Sequence, residues 1–495
     1  MVANSNARSP LERLILVDNL QHLAIDYHFH GEIHSILTNY YKSLRKSGGT
    51  MNSLFSVSLG FRLLRQNGFP ASTDVFKRFL DRQGNIIEEL KGDLGGMMSL
   101  YQATQFGMEE EVILDQASVF TRKNLVNSLL HLKQDQVSVM SNNLDHPYHK
   151  TLPRFNLKHY IKTNRNGHEM NGNLFQEFAK LDFNFVQSLH QGELLQFSSW
   201  WRDLALAQKL NFARNQPVKW YMGSMATLDD PRLSEERIHL TKPISLVYLM
   251  DDIFDVYGTL GELVLFTEAI IKWEVEDRLP YNMKLFLNVL YDTVDEISYK
   301  IFQKHGWDPK PSLKKAWVRL CNAFLVEAKW FASGQLPTSE EYLNNGVISS
   351  GVHVAFVHIF FLLGEGISKQ TVDLVDEVPG LISNTATILR LWDDLGSAKD
   401  ENQNGYDGSY IDCYLKEHKG ETLESAREHV RDMISNTWKK LNKEYLTQPL
   451  FPLSFKKASL NAARTVSLMY NYDTNHQLSL EKQIKSLLYE SIPVQ

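Results

Sequence analysis

The sequence predicts an all-α protein, and three observations carry that expectation. Proline, the strongest helix breaker, accounts for 15 of 495 residues, about 3% against a usual value of about 5%. Leu, Glu and Lys, which favour helices, are abundant. Apolar residues recur at helical spacing from the first segment onward, and no convincing run alternates with the period of a strand. The length is a soft prior for two or three domains and is ample for large cores. A hydrophobic share of 43% and a charged share of 22% are those of a folded soluble chain.

The elements follow in order. Leu14, Leu16, Val17, Leu20, Leu23 and Ile25 lie near one face of a first amphipathic helix. Further helical segments are expected at about 30–48, 51–67, 72–80, 98–104 and 108–132. The turns Asn67-Gly68-Phe69-Pro70 and Gly92-Asp93-Leu94-Gly95-Gly96 mark helix ends. Residues 164–172 are polar and rich in Gly and Asn, hence a loop. The long helical run FAKLDFNFVQSLHQGELLQFSSWWRDL comes after them. A domain boundary is expected near residue 175, giving an N-terminal helical domain over 1–175 and a C-terminal one over 176–495. The second part is longer, denser in aromatics, and holds every chemical motif.

Charge and cysteine content exclude several functions. The net charge of −6 and the lack of a basic stripe speak against nucleic-acid binding. Two cysteines, Cys321 and Cys413, form neither a disulfide framework nor a zinc cluster and read as reduced packing residues. The most apolar stretch, Val352 to Leu363, is shorter than the ~20 residues of a spanning helix, so no membrane partner is expected. The N-terminus has charges inside its only apolar stretch and reads neither as a secretory signal nor as a transit peptide. A cytoplasmic protein is the expectation, with the plastid as the alternative if a transit segment has been removed.

Two acidic constellations carry chemistry. Asp251-Asp252-Ile253-Phe254-Asp255 follows the apolar run Ile244 to Met250. On a helix, Asp251 and Asp255 project about 40° apart, with Asp252 beside them. Hard cations such as Mg²⁺ take oxygen ligands and bridge carboxylates to substrate phosphates; a solvated acidic helix end fits this stretch equally well. The second is Asp393-Asp394-Leu395-Gly396-Ser397-Ala398-Lys399-Asp400-Glu401. Asp393, Ser397 and Glu401 drift only about 80° around a helix and span roughly 12 Å along it. A polar helix end running into a loop is the plain alternative here too. Lying about 140 residues apart, each at the end of an apolar helical run, the two stripes could face each other across a bundle and hold several Mg²⁺ ions and one diphosphate.

DDIFD and DDLGSAKDE resemble the aspartate-rich and NSE/DTE metal motifs of plant class I terpene synthases. ELLQFSSWWRDL, FARNQPVKWYM, KPISLVYLMDDIFDVYGTLGELVLFTEAI, EYLNNGVISSGVHVAFVHIFFLLG and ILRLWDDLGSAKDENQNGYDGSY also read like that family, in order and over nearly the whole chain. The resemblance implies two all-α domains, the C-terminal one a class I terpenoid synthase bundle around a hydrophobic pocket. It implies metal ligation by Asp251 and Asp255 on one side, with Asp252 in a weaker or outer role, and by Asp393, Ser397 and Glu401 on the other. It assigns the diphosphate to Arg390, with Arg214 helping to draw the leaving group away. Arg390 lies three residues before Asp393, roughly on the same face, and its planar fork suits bidentate phosphate contacts.

The sequence departs from the family in three places. The second arginine of the RxR motif is Gln216. Gly223 stands where many relatives have a tryptophan; Trp200, Trp201, Trp220, Tyr221 and Tyr470 are candidate wall aromatics, or ordinary packing residues. No RRx8W motif precedes the first domain, as in the subfamily that makes mostly acyclic alcohols. A DxDD motif is absent, so the first domain is expected to be structural. Ser349-Ser350-Gly351 resembles the family's helix break. The reaction implied is ionisation of geranyl or farnesyl diphosphate by a monomer with Mg²⁺, or Mn²⁺ as a substitute, and water capture to give linalool or nerolidol. A cyclase is the rival. A chain-elongating prenyltransferase would carry two DDxxD motifs, and an inactive helical scaffold would have lost metal ligands.

Overall fold

A computed structural model describes the protein over residues 9–47, 51–163, 172–397, 408–469 and 480–494. Among the described residues the chain is helical without a strand, apart from one isolated bridge between Leu80 and Ile86. The helices are α1 (Pro10–His22), α2 (His30–Ser47), α3 (Leu54–Gln66), α4 (Leu94–Thr104), α5 (Val112–Ser128), α6 (Gln134–Asp145), α7 (Pro153–Thr163) and α8 (Gly172–Leu204). They continue with α9 (Leu206–Lys209), α10 (Pro217–Thr227), α11 (Ser234–Asp252), α12 (Leu260–Lys272), α13 (Tyr281–His305), α14 (Lys310–Ser333), α15 (Ser339–Ser349) and α16 (Val352–Leu363). The last are α17 (Lys369–Asp376), α18 (Gly380–Ser397), α19 (Tyr410–Glu417), α20 (Leu423–Thr447), α21 (Leu453–Met469) and α22 (Leu480–Tyr489).

Two compact units result. The first comprises Met1–Gln187, Asn442–Thr447 and Glu481–Gln495. Here α1 starts from a capping box, Ser9 with Glu12, and Pro10 occupies its first turn. All six apolar residues read as its inner face and exit are buried, with none of them above 3% exposed. The segment expected to be helical over 72–80 is a 3₁₀ turn, Thr73–Phe79, capped by Ser72; short pieces favour this tighter winding. Helix α4 begins at Leu94, earlier than the glycines suggest. Asp93 caps it by accepting the Gly96 N–H at 2.8 Å. A Cβ on Gly96 would run into that carboxylate and into Leu54, so the glycine serves close packing. The loop at 164–172 lies, except for its last residue, outside the described residues.

The second unit, Ser188–Leu441 with Gln448–Leu480, is the helical bundle that holds the acidic motifs. Helix α11 packs on α10, α13 and α16; α18 packs on α15, α16, α19 and α21. The expected break at Ser349-Ser350-Gly351 is present: α15 stops, Gly351 takes φ +70°, and α16 restarts. A side chain on Gly351 would strike Val247 of α11, so this turn needs glycine for both conformation and space. Taken across that break, Ser339–Leu363 is long and apolar enough to cross a membrane by length and composition. Yet 72% of its apolar window is buried inside the protein, as in a core helix. Cys321 and Cys413 are unpaired and buried, and burial raises both thiols to about 12.

Candidate active site

The first acidic motif sits where α11 changes winding. The helix ends at Asp252, and Ile253–Tyr257 form a π turn closed by the Gly258 N–H on the Ile253 carbonyl at 2.9 Å. An uninterrupted α-helix was expected through Asp255; such π turns are frequent at functional sites. Asp251 is half-buried, Asp252 buried and Asp255 exposed. Arg214, from the segment before α10, bolts onto this end. Its backbone N–H donates to Asp252 Oδ2 at 2.7 Å. Its Nη2 pairs with Asp251 Oδ2 and donates to the Tyr248 carbonyl at 3.3 Å. Its Nε lies 2.7 Å from Asp252 Oδ1 without the alignment of a hydrogen bond. The guanidinium stands 5.0 Å over the Tyr248 ring. Burial pushes the Asp252 carboxyl up, against the pull of Arg214. Gln216 is exposed at the start of α10.

The second motif lies on α18. Arg390 donates from Nη2 to Ser349 Oγ at 2.8 Å and approaches Glu327 Oε1 at 4.0 Å, while its buried Nε has no hydrogen-bond partner. Burial would weaken its charge; Tyr342, Glu327, Asp394 and Asp393 hold it in place. A Cβ on Gly346 of α15 would come within 3.0 Å of that Nε, so α15 makes room for the arginine. Ser349 Oγ in turn donates to Glu327 at 2.6 Å. Asp393 is half-buried. The side chain of Ser397 and all of Glu401 lie outside the described residues, as does Tyr470. Among the described residues no three His, Cys, Asp or Glu side chains form a metal-sized cluster.

Several residues of the site escaped the sequence reading. Asp394, beside Asp393, is buried; it accepts from the Tyr342 hydroxyl at 2.9 Å and from the Tyr410 N–H at 3.0 Å. Burial raises its carboxyl to about 7 despite Arg390 nearby. Tyr248, one turn before Asp251, could have been found by helical spacing. Glu327 and Tyr342 come from other helices, and nothing local marks them. The candidate aromatics mostly pack. Trp220 stands edge-on to Trp201 at 4.8 Å, the Tyr221 hydroxyl donates to Glu193 at 2.7 Å, and Trp200 lies under Lys242 at 5.0 Å.

The chain is similar to known proteins over nearly its whole length. Residues 1–146 match the terpene synthase N-terminal domain and residues 202–440 the terpene synthase family metal binding domain. An (E)-nerolidol synthase of Cannabis sativa is 48% identical over 96% of this chain and 88% of its own. The chloroplastic S-(+)-linalool synthase of Arabidopsis thaliana is 44% identical over 98% of this chain and 86% of its own. The crystal structure of isoprene synthase from grey poplar (Populus x canescens), in complex with three Mg²⁺ ions and dimethylallyl-S-thiolodiphosphate, superposes with a TM-score of 0.92 at 35% identity. It covers 99% of this chain and 95% of the other. The chain belongs to the terpene synthase family, with a metal-binding helical domain.

Proposed function

We propose that the protein ionises geranyl diphosphate, farnesyl diphosphate or both, and captures the allylic cation with water to give an acyclic tertiary alcohol, linalool or nerolidol. The observation that carries this reading is Arg390. It is a half-buried guanidinium whose buried Nε is unspent, on the same helix as Asp393, in a bundle whose other acidic motif is only partly neutralised by Arg214. A half-buried cation with a free donor suits an anionic ligand. The names of the nerolidol and linalool synthase relatives support the product class. Residues 1–175 would be a structural domain and 176–495 the catalytic one.

The donor set is carboxylate and hydroxyl oxygen, which fits a hard divalent cation. Asp251 and Asp255, with Asp252 in an outer role, would hold Mg²⁺ on one side, and Asp393, Ser397 and Glu401 on the other; Mn²⁺ could substitute. Bound there, the metal would supply positive charge to the diphosphate oxygens. Arg390 would bind the diphosphate bidentately, and Arg214 would exchange a carboxylate for a diphosphate oxygen. These fixed charges favour the leaving group as the C–O bond breaks and diphosphate departs with the electron pair. Half-buried apolar side chains of α11, Ile244 and Val247, would keep water scarce around the cation. One water then forms the new C–O bond at the tertiary carbon, and its proton passes to diphosphate.

The test is incubation with Mg²⁺ and each of the two diphosphates, with products identified by gas chromatography. Linalool and nerolidol are expected, and Asp251→Ala should abolish both while the far-UV helical signal persists. Cyclic products dominating with either substrate would overturn the acyclic reading.

A further inference from the structure

Lysines in the folded units are almost all partnered where burial matters. Lys158, Lys242 and Lys456 each sit in surroundings that lower their pKa, chiefly by burial. Each has an answering oxygen. Lys158 donates to Ser486 Oγ at 2.8 Å. Lys242 donates to Glu296 at 2.7 Å, and Lys456 to the Gln448 carbonyl at 3.3 Å.

Lys219 is different. It is half-buried on the first turn of α10, and among the described residues it makes no hydrogen bond or ion pair. Burial and the nearby Arg214 charge both push its pKa down, and only Asp393 pushes it up. A desolvated cation beside a like charge is costly unless something anionic answers it.

Its position says what that is. Lys219 follows Gln216 by three residues and precedes Gly223 by four, so the three share a face of α10. That face is partly open: Lys219 and Gly223 are part-accessible, whereas Trp220, Tyr221, Met222 and Ser224 are buried, and Val218 is exposed on another side of the helix. A Cβ on Gly223 would point toward Ile244 of α11, 3.8 Å away. Ile244, Val247, Tyr248 and Asp251 form the part-accessible stripe of α11 leading to the acidic motif. Lys219 therefore lies within electrostatic reach of both Arg214 and Asp393, one helical turn from the position where the second arginine of the RxR motif is lost to an exposed glutamine.

We propose that Lys219 is a diphosphate-binding residue, supplying the second basic contact that Gln216 does not. This rests on the reading of the Arg214–Arg390 site as a diphosphate site. The test is calorimetric titration of the full chain with inorganic pyrophosphate in the presence of Mg²⁺. Lys219→Met should weaken binding about tenfold, the worth of one charge-assisted contact, with its melting temperature unchanged. Lys219→Arg should restore affinity to within about threefold of the parent. Arg390→Ala serves as the control for the site. If Arg390→Ala loses binding while Lys219→Met retains it within about twofold, the role of Lys219 is overturned and the site stands. If the parent chain binds no pyrophosphate, the site reading falls and this one with it.

Discussion

Two arginines of the same helical unit, Arg237 buried and Arg390 half-buried, are used in opposite ways. Arg237, at the start of α11, spends every donor. Nε and Nη2 grip Glu193 at 2.8 and 2.7 Å, and the remaining N–H groups reach the Leu228, Asp230 and Pro231 carbonyls. The Tyr221 hydroxyl completes the Glu193 carboxylate. Arg390, on α18, makes one hydrogen bond and one distant ion pair. A guanidinium has five N–H donors, so the first is saturated and the second is not. Saturation marks a structural clamp, which fixes α8, α10 and α11 relative to one another. Unspent donors on a half-buried cation leave capacity for a further partner.

The comparison can be broken by its two halves. Arg237→Met should cost about 3–5 kcal/mol of stability, because Glu193 stays buried without its counter-charge. Denaturant unfolding measures it, and a loss below about 1 kcal/mol would deny the clamp. Arg390→Lys keeps the charge but loses the fork, and should lower kcat/KM about 10²-fold with little change in unfolding midpoint. Stability falling while turnover holds would put Arg390 in the same class as Arg237.

Acid sharpens the contrast. His353 and His358 of α16 are buried among apolar side chains, and burial lowers both to about 4. Unfolded histidine titrates near 6.5, so between about pH 6.5 and 4 the unfolded chain binds more protons. Stability is therefore full above pH 6.5 and is lost as pH falls toward 4, on the order of 3 kcal/mol for each histidine. Urea unfolding across that range should show the loss, and replacing both histidines with glutamine should flatten it. The smallest effect concerns glycines. Gly223 touches nothing that requires it, so Gly223→Ala should gain about 0.5–1 kcal/mol of helix stability. Gly346→Ala should lose stability and activity together, since its Cβ meets Arg390 at 3.0 Å. Equal thermal shifts in the two variants would erase the distinction.

Much of the fold was legible because helices are local. The six apolar residues around α1 lie inside, and the break after Ser349 falls where Ser and Gly placed it. The segment over 72–80 was misread because capping and the isolated bridge at Leu80, not periodicity, decide its winding. At the site, the spacing of Asp251 with Asp255 and of Arg390 with Asp393 was readable within single helices. The π turn after Asp252, the Tyr342 hydroxyl on Asp394, and the Glu327–Ser349–Arg390 chain were not. Each depends on a partner from another part of the chain.

The sequence by itself determined the helical class, the two oxygen-rich stripes and the family, because these depend on spacing along one helix and on motif identity. Only the tertiary structure decided which charges are already spent. It set Arg214 against Asp251 and Asp252, closed Arg237 around Glu193, and left Arg390 and Lys219 short of partners. Electrostatic energy depends on distance and burial between groups far apart in sequence, and no local pattern encodes that.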